Sequence, residues 1–286
     1  MRCRPLLSML LFVAACSRAA PRGTSAPGAS DAREADIPAD LRASVERAAA
    51  LGREIYLQDK AAAIGTDVLV EALKTLEDKE LGGFLAMREG DDAGRPRPSY
   101  LVFFYSTEPA PRIRYEVHVP IERGKRPSFD SIDPPRRIPE PLAKLVRARQ
   151  MAIQAAGPFA HAVNPVVLPD PDGGILVYLL AAPTQRKTVV LGKHFRVRLT
   201  GEGVVKTVEP LSKGALELAT ATTAGSQPSA LFVTHLVTAY PLETHVAASL
   251  TAQLPIYVAT ERGLWSVDGD SIRYVSEKIP EDMTKH

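Results

Sequence analysis

Three residues toward the C-terminal end have the types and spacing for metal chemistry: His235, Glu243 and His245. Glu243 and His245 are two apart, and on a β-strand such residues share a face. His235 lies on the preceding predicted strand and would stand opposite them across the turn 239–242. One carboxylate and two imidazoles can hold zinc or iron and leave a coordination position open. That is the requirement for a metal-dependent hydrolase. The plainer alternative is a half-exposed strand face of ordinary polar residues. With six histidines in 286 residues, some proximity is expected by chance.

Other constellations are weaker. Asp170 and Asp172, and Asp268 and Asp270, resemble fragments of calcium loops but lack the D-x-[DN]-x-[DN]-G spacing and its closing Glu. Both pairs sit beside glycines where hairpin turns need them. There is no G-x-S-x-G elbow and no S-x-x-K followed by its partner motifs. Gly201 and Gly203 join two predicted strands, so they are not a dinucleotide fingerprint. Trp265 is the single tryptophan. It lies among apolar neighbours and reads as core.

The elements that must position these residues begin near Pro38. Asp40 is a plausible N-cap, and Leu41, Val45, Ala48, Gly52 and Ile55 fall at helical spacing on one face lined with small residues. Gly65 is expected to end or bend this helix. Leu69, Ala72, Leu73 and Leu76 continue the stripe, giving a helical hairpin or one long kinked helix. Residues 82–99 read as a loop. Residues 100–105 form a continuous apolar run, as in a strand buried on both faces. Ile113, Tyr115, Val117, Val119 and Ile121 alternate with Arg114, Glu116 and His118, which predicts a half-buried antiparallel strand. Residues 127–141 hold five prolines and read as irregular. Residues 140–156 are helical and end at Gly157 and Pro158.

Beyond residue 160 the chain becomes strand-rich. Predicted strands at 163–168 and 175–182, and at 194–199 and 204–209, flank two hairpin turns. Residues 219–229 read as a loop. Strands follow at 231–238, 245–254, 256–260, 264–267 and 271–275. Helices first, then strands without βαβ alternation, imply an α+β fold: N-terminal helices packed on a mainly antiparallel β-sheet. The globular part is expected to be one domain over residues 38–279, with a weak boundary near 157–162 and a polar tail at 280–286.

The N-terminus carries an address. Arg2 and Arg4 are followed by an almost wholly apolar run over residues 6–15, with Ala14 and Ala15 before Cys16. A basic start, a short apolar core and small residues before a cut site make a signal peptide. The run is about half the ~20 residues a spanning helix needs. The ending Val13-Ala14-Ala15-Cys16 resembles the lipobox of bacterial lipoproteins. That resemblance, confined to this segment, implies cleavage between Ala15 and Cys16 and acylation of Cys16, with palmitate among the attached chains. Ser17, rather than Asp, is similar to the outer-membrane-sorted kind, on the periplasmic face. Residues 16–37 are rich in Ala, Pro, Gly, Ser and Arg, with too little apolar bulk to offset the entropy of ordering. About twenty such residues reach at most ~70 Å when extended.

Lys and Arg number 35 and Asp and Glu 33. Loss of Arg2 and Arg4 with the leader balances them. A balanced charge argues against nucleic acid as a partner and provides no polybasic signal for anionic lipid. The two cysteines are Cys3 and Cys16. With the first removed and the second lipidated, no disulfide, Cys-ligated metal or Cys nucleophile remains. The sequence thus implies no cofactor. It points to a membrane-anchored envelope lipoprotein, a binding or assembly module for another envelope protein or a small ligand. The alternative is a metal-dependent hydrolase using His235, Glu243 and His245.

Overall fold

Helix α1 (Arg42–Leu73) runs for 32 residues, about 48 Å at 1.5 Å per residue. A computed structural model describes residues 36–74, 80–90, 98–107, 110–185, 187–220 and 228–279. The leader, Ala15, Cys16, nearly all of the tether and the tail at 280–286 lie outside the described residues.

Helix α1 runs on to Leu73 and does not end at Gly65. A Cβ there would lie 2.9 Å from Val102 Cβ, so the missing side chain lets the helix approach a strand. Thr66 bonds back to Ala62 O inside the helix instead of capping a new one. Asp40 is not the cap either; it pairs with Arg262 at 3.0 Å, and α1 begins without a side-chain cap. The small-residue face does find a close partner. A Cβ at Gly52 would sit 2.5 Å from Glu243 O and Val246 Cβ, on a later helix.

Four strands form an antiparallel meander: β1 (Leu81–Arg88), β2 (Ser99–Ser106), β3 (Arg112–Pro120) and β4 (Ser128–Arg137). Two of them fall where the sequence suggested a loop and an irregular stretch. Both are edge strands. Pro134 and Pro135 of β4 fall in a bulge, between the pairs Ile113↔Arg136 and Tyr115↔Ser131, where a missing N–H costs little. β2 is buried on both faces as expected. Tyr100, Val102 and Phe104 share a core with α1, while Phe103 and Tyr105 join a second core with α2 (Glu140–Ala156). The alternation in β3 is interrupted by the same bulge. Ile113 therefore belongs to the α2 core, and Val117 and Val119 to the α1 core.

A second meander repeats the scheme with β5 (Val163–Pro169), β6 (Ile175–Ala181), β8 (Phe195–Leu199) and β9 (Val205–Pro210). Val177, Leu179, Val197 and Leu199 face α2; Val166, Leu168, Leu176 and Tyr178 meet Leu51 and Ile55 of α1. A two-stranded ribbon, β7 (Thr188–Val190) with β10 (Glu217–Ala219), stands beside it.

The last unit is β11 (Leu231–Thr234), α3 (Glu243–Ala252), β12 (Ile256–Thr260), β13 (Gly263–Asp268) and β14 (Ser271–Ser276). β11 and β12 pair in parallel and the rest antiparallel. The strand expected at 245–254 is instead α3. Apolar runs of this length suit either a buried strand or a buried helix. Here the helix is enclosed all round, with every residue from Glu243 to Ser249 buried. Trp265 is core, its Nε1 donating to Thr260 Oγ1 at 3.0 Å and its ring edge-on to Tyr274. The class is α+β with mostly antiparallel sheets. Its three described helices are spread along the chain rather than gathered at the start.

Candidate functional site

Residues 234–245 fold as a short connection running into α3, and this decides what the expected metal ligands do. Two residues apart on a helix are about 200° apart around its axis, so Glu243 and His245 point to different sides. Glu243 turns toward the second meander. It accepts from Tyr178 Oη at 2.8 Å and Arg196 Nη1 at 2.6 Å. From there a chain of ion pairs continues: Arg196 to Glu209 at 2.6 Å, Arg198 to Asp170 at 2.8 Å, and Arg47 to Asp170 at 3.0 Å and Asp172 at 2.6 Å. Asp170 also accepts the Asp172 N–H at 3.1 Å, so this pair does serve the β5–β6 turn. The metal triad therefore does not assemble. Among the described residues, no group of three His, Cys, Asp or Glu is placed to hold a metal ion.

His235 and His245 do come together. Their rings meet edge to face with centroids 4.8 Å apart. They line a pocket of about 220 Å³, and a third histidine, His194, lines it as well. The walls are the turn at 191–194, the loop at 211–216, the segment 233–237 and the first turn of α3. Two of these loops touch through glycine. Gly192 has φ +139, and a Cβ there would lie 2.2 Å from Gly214 O, so no other residue fits without moving a loop. Ser212 Oγ links the same loops, donating to Gly214 O at 2.7 Å and accepting from Lys193 N–H at 2.8 Å.

The hydrogen bonds define two of the three tautomers. His194 Nδ1 accepts from Ala181 N–H at 2.9 Å and Nε2 reaches Val190 O at 3.1 Å. A carbonyl only accepts, so Nε2 carries the proton. Both nitrogens of His194 are occupied, and it braces the wall. His245 Nδ1 accepts the backbone N–H of Leu242, the α3 N-cap, at 2.9 Å, as the third side chain of a capping box does. Its proton therefore lies on Nε2. His235 Nε2 lies 2.8 Å from Thr238 Oγ1, which donates to Tyr240 O at 2.6 Å, and 3.2 Å from Thr238 N, contacts that either tautomer can make. His235 Nδ1 and the N–H at His245 Nε2 have no hydrogen-bond partner among the described residues.

All three imidazoles are held neutral at pH 7. Burial lowers His194 to about 4. Burial lowers His235 to about 4, against a small opposing pull from Glu243. His245 falls to about 3 through burial first, and then through His235 and His194 beside it. Around the mouth, Leu236, Val237 and Leu216 are exposed apolar side chains. The pocket thus offers two neutral imidazole nitrogens, with the His245 N–H as a donor, among mixed apolar and polar side chains that include Ser212, Lys213 and Thr244.

A smaller cavity of about 100 Å³ lies behind it, sharing His194 and Thr244 as a wall. It contains Asp59, pushed up to about 6 by burial against an opposing hydrogen bond from Asn164. Nothing local in the sequence marks His194 as a site residue. A single histidine ahead of a strand carries no local pattern, and only the packing of β6, the ribbon and α3 brings it to the other two.

No protein-family model, curated protein or solved structure matches this chain. The reading of the site therefore rests on its own geometry.

Proposed function

We propose that this protein is a lipid-anchored envelope lipoprotein, acylated at Cys16 and facing the periplasm from the outer membrane, whose α+β domain binds a small ligand in the three-histidine pocket. The two unengaged imidazole nitrogens that share the pocket, His235 Nδ1 and His245 Nε2, carry the binding half of this reading. A concave pocket with a few convergent polar groups is the usual form of a small-molecule site. The ligand is then a small neutral molecule with a hydrogen-bond acceptor, such as a carbonyl or ether, for the His245 N–H. The Val13-Ala14-Ala15-Cys16 ending supports the anchor. Among the described residues no helix is long and apolar enough to cross a membrane. The metal-dependent hydrolase built on His235, Glu243 and His245 lacks a ligand set and is not favoured.

Radiolabelled palmitate should enter the wild-type chain and not Cys16→Ser; equal labelling of both would remove the anchor. A neutral fragment bound in the pocket should raise the melting temperature of the full chain, because anything that binds only the folded state stabilises it. Gly214→Leu should abolish that rise. Its Cβ meets nothing within 4 Å, so the new side chain can occupy the pocket rim without a backbone clash.

A further inference from the structure

A larger cavity lies away from the histidines. It is a groove of about 780 Å³ between the end of β4, the β2–β3 turn and the first turns of α2. Its deepest side chains are apolar, Ile138 and Val146, both at most 5 % exposed. Three arginines, Arg112, Arg137 and Arg147, line it, against one acid, Glu140, among the described lining residues. Arg147 is paired with Glu140 at 2.7 Å. Arg112 only reaches Pro135 O, at 3.4 Å. Arg137 is exposed and has no ion-pair or hydrogen-bond partner among the described residues. The local field is positive: Arg147, and then Lys144 and Arg137, hold Glu140 below the usual carboxylate range. One turn further along the same face of α2, Met151 is exposed.

We propose that this groove binds the phosphate headgroup of an anionic phospholipid. A guanidinium fork matches phosphate oxygens two at a time, and Arg137 and Arg112 supply donors that no side chain among the described residues uses fully. The groove is several times larger than one phosphate needs. Its apolar floor suits the glycerol and the first methylenes that accompany such a headgroup. The choice of a lipid over an acidic peptide rests on the lipid-anchor reading above, which keeps the domain within about 70 Å of a bilayer. The chain would then have a second contact with the membrane. Net charge conceals this, because a balanced total does not report a local cluster.

The test uses the full chain carrying Cys16→Ser, so that no acyl chain contributes. Calorimetric titration compares dihexanoyl phosphatidylglycerol, dihexanoyl phosphatidylcholine, inorganic phosphate and a glutamate-rich peptide, each as a soluble monomer. Phosphatidylglycerol should bind at least about tenfold more tightly than phosphatidylcholine, as expected for charge-assisted bonds to a guanidinium. Arg137→Glu should weaken it by about tenfold or more, and Arg137→Lys should lose less. Circular dichroism should be unchanged in both, since Arg137 is exposed. Equal binding of the two lipids, indifference to Arg137→Glu, or no binding would overturn the proposal. So would phosphate alone binding as tightly as phosphatidylglycerol, which marks a free-anion site, or tighter binding of the acidic peptide. Because the anchor is absent from these titrations, their failure leaves palmitate labelling of Cys16 untouched, and the two readings fail separately.

Discussion

Lowering the pH from 7 to about 4 should destabilise this domain by an amount comparable to its whole stability. His194, His235 and His245 have folded-state values of about 4, 4 and 3 against an ordinary 6.5. Each is depressed, so between those values and 6.5 the unfolded chain binds more protons than the folded one. Stability then rises with pH, and is lost as pH falls below 6.5. Asp59 acts in the opposite sense. Its folded-state value is raised from 3.8 to about 6, so it favours the folded state as pH falls through that window. Three protons against one leave a net uptake of about two on unfolding. At ~1.4 kcal/mol per proton per pH unit this is about 3 kcal/mol per unit, or about 5 kcal/mol between pH 6 and 4. Domains of this kind are stable by roughly 5–15 kcal/mol. Below pH 4, Asp170 and Glu209, whose carboxyls are lowered chiefly by hydrogen bonds and ion pairs that outweigh their burial, continue the loss. Urea denaturation at stepped pH measures the slope. His245→Asn, whose amide oxygen can accept the Leu242 N–H, should flatten it by about one proton. Asp59→Asn should steepen it by about one. A curve flat from pH 7 to 4 would show that the histidines are not buried neutral.

Glu243→Ala should cost about 3–5 kcal/mol, the usual penalty for removing one partner of a buried ion pair. Glu243 is only 2 % exposed and serves Tyr178 and Arg196 together. Its loss strands a buried hydroxyl and leaves Arg196, 17 % exposed, with Glu209 as its remaining partner. The effect should reach beyond one contact, because Glu243 begins the chain of pairs that ties α3 through the second meander to Arg47 on α1. Glu243→Gln keeps an acceptor oxygen for Tyr178 and should lose less, about 1–3 kcal/mol. The double change Glu243→Leu with Arg196→Met should recover part of the loss by removing both charges. Denaturation midpoints of the four proteins decide it. A loss below about 1 kcal/mol for Glu243→Ala would mean that water already solvates the pair.

The strands with strong internal patterns were legible: β2, β5, β6, β8 and β12 to β14 lie close to where apolar runs and turn residues put them. Helix α2 was equally clear, with its apolar stripe and its exit at Gly157 and Pro158. The misreadings have physical causes. β1 and β4 are edge strands whose pairing comes from their neighbours, so Gly82 and Gly83 or Pro134 and Pro135 were read as breakers when the sheet tolerates them there. α3 is too short and too fully enclosed for its periodicity to show, since neither face is left polar. That one error misplaced Glu243 relative to His245 and produced a metal triad that the helix pulls apart. His235 and His245 meet through the β11–α3 connection rather than across two strands. The bulge at Arg114 moved Ile113 to the opposite core, and no local signal announces it.

The central claim is that His235 and His245 present neutral imidazole nitrogens to a ligand in a shared pocket. Side-chain nitrogen NMR of the full chain, with nitrogen-15 in the histidines, tests it most directly. At pH 7 both rings should be neutral, with the His245 proton on Nε2, and a neutral fragment that raises the melting temperature should shift the resonances of His235 Nδ1 and His245 Nε2 and leave His118 unmoved. Doubly protonated rings at pH 7, a His245 proton on Nδ1, or stabilising fragments that leave both resonances in place would contradict it.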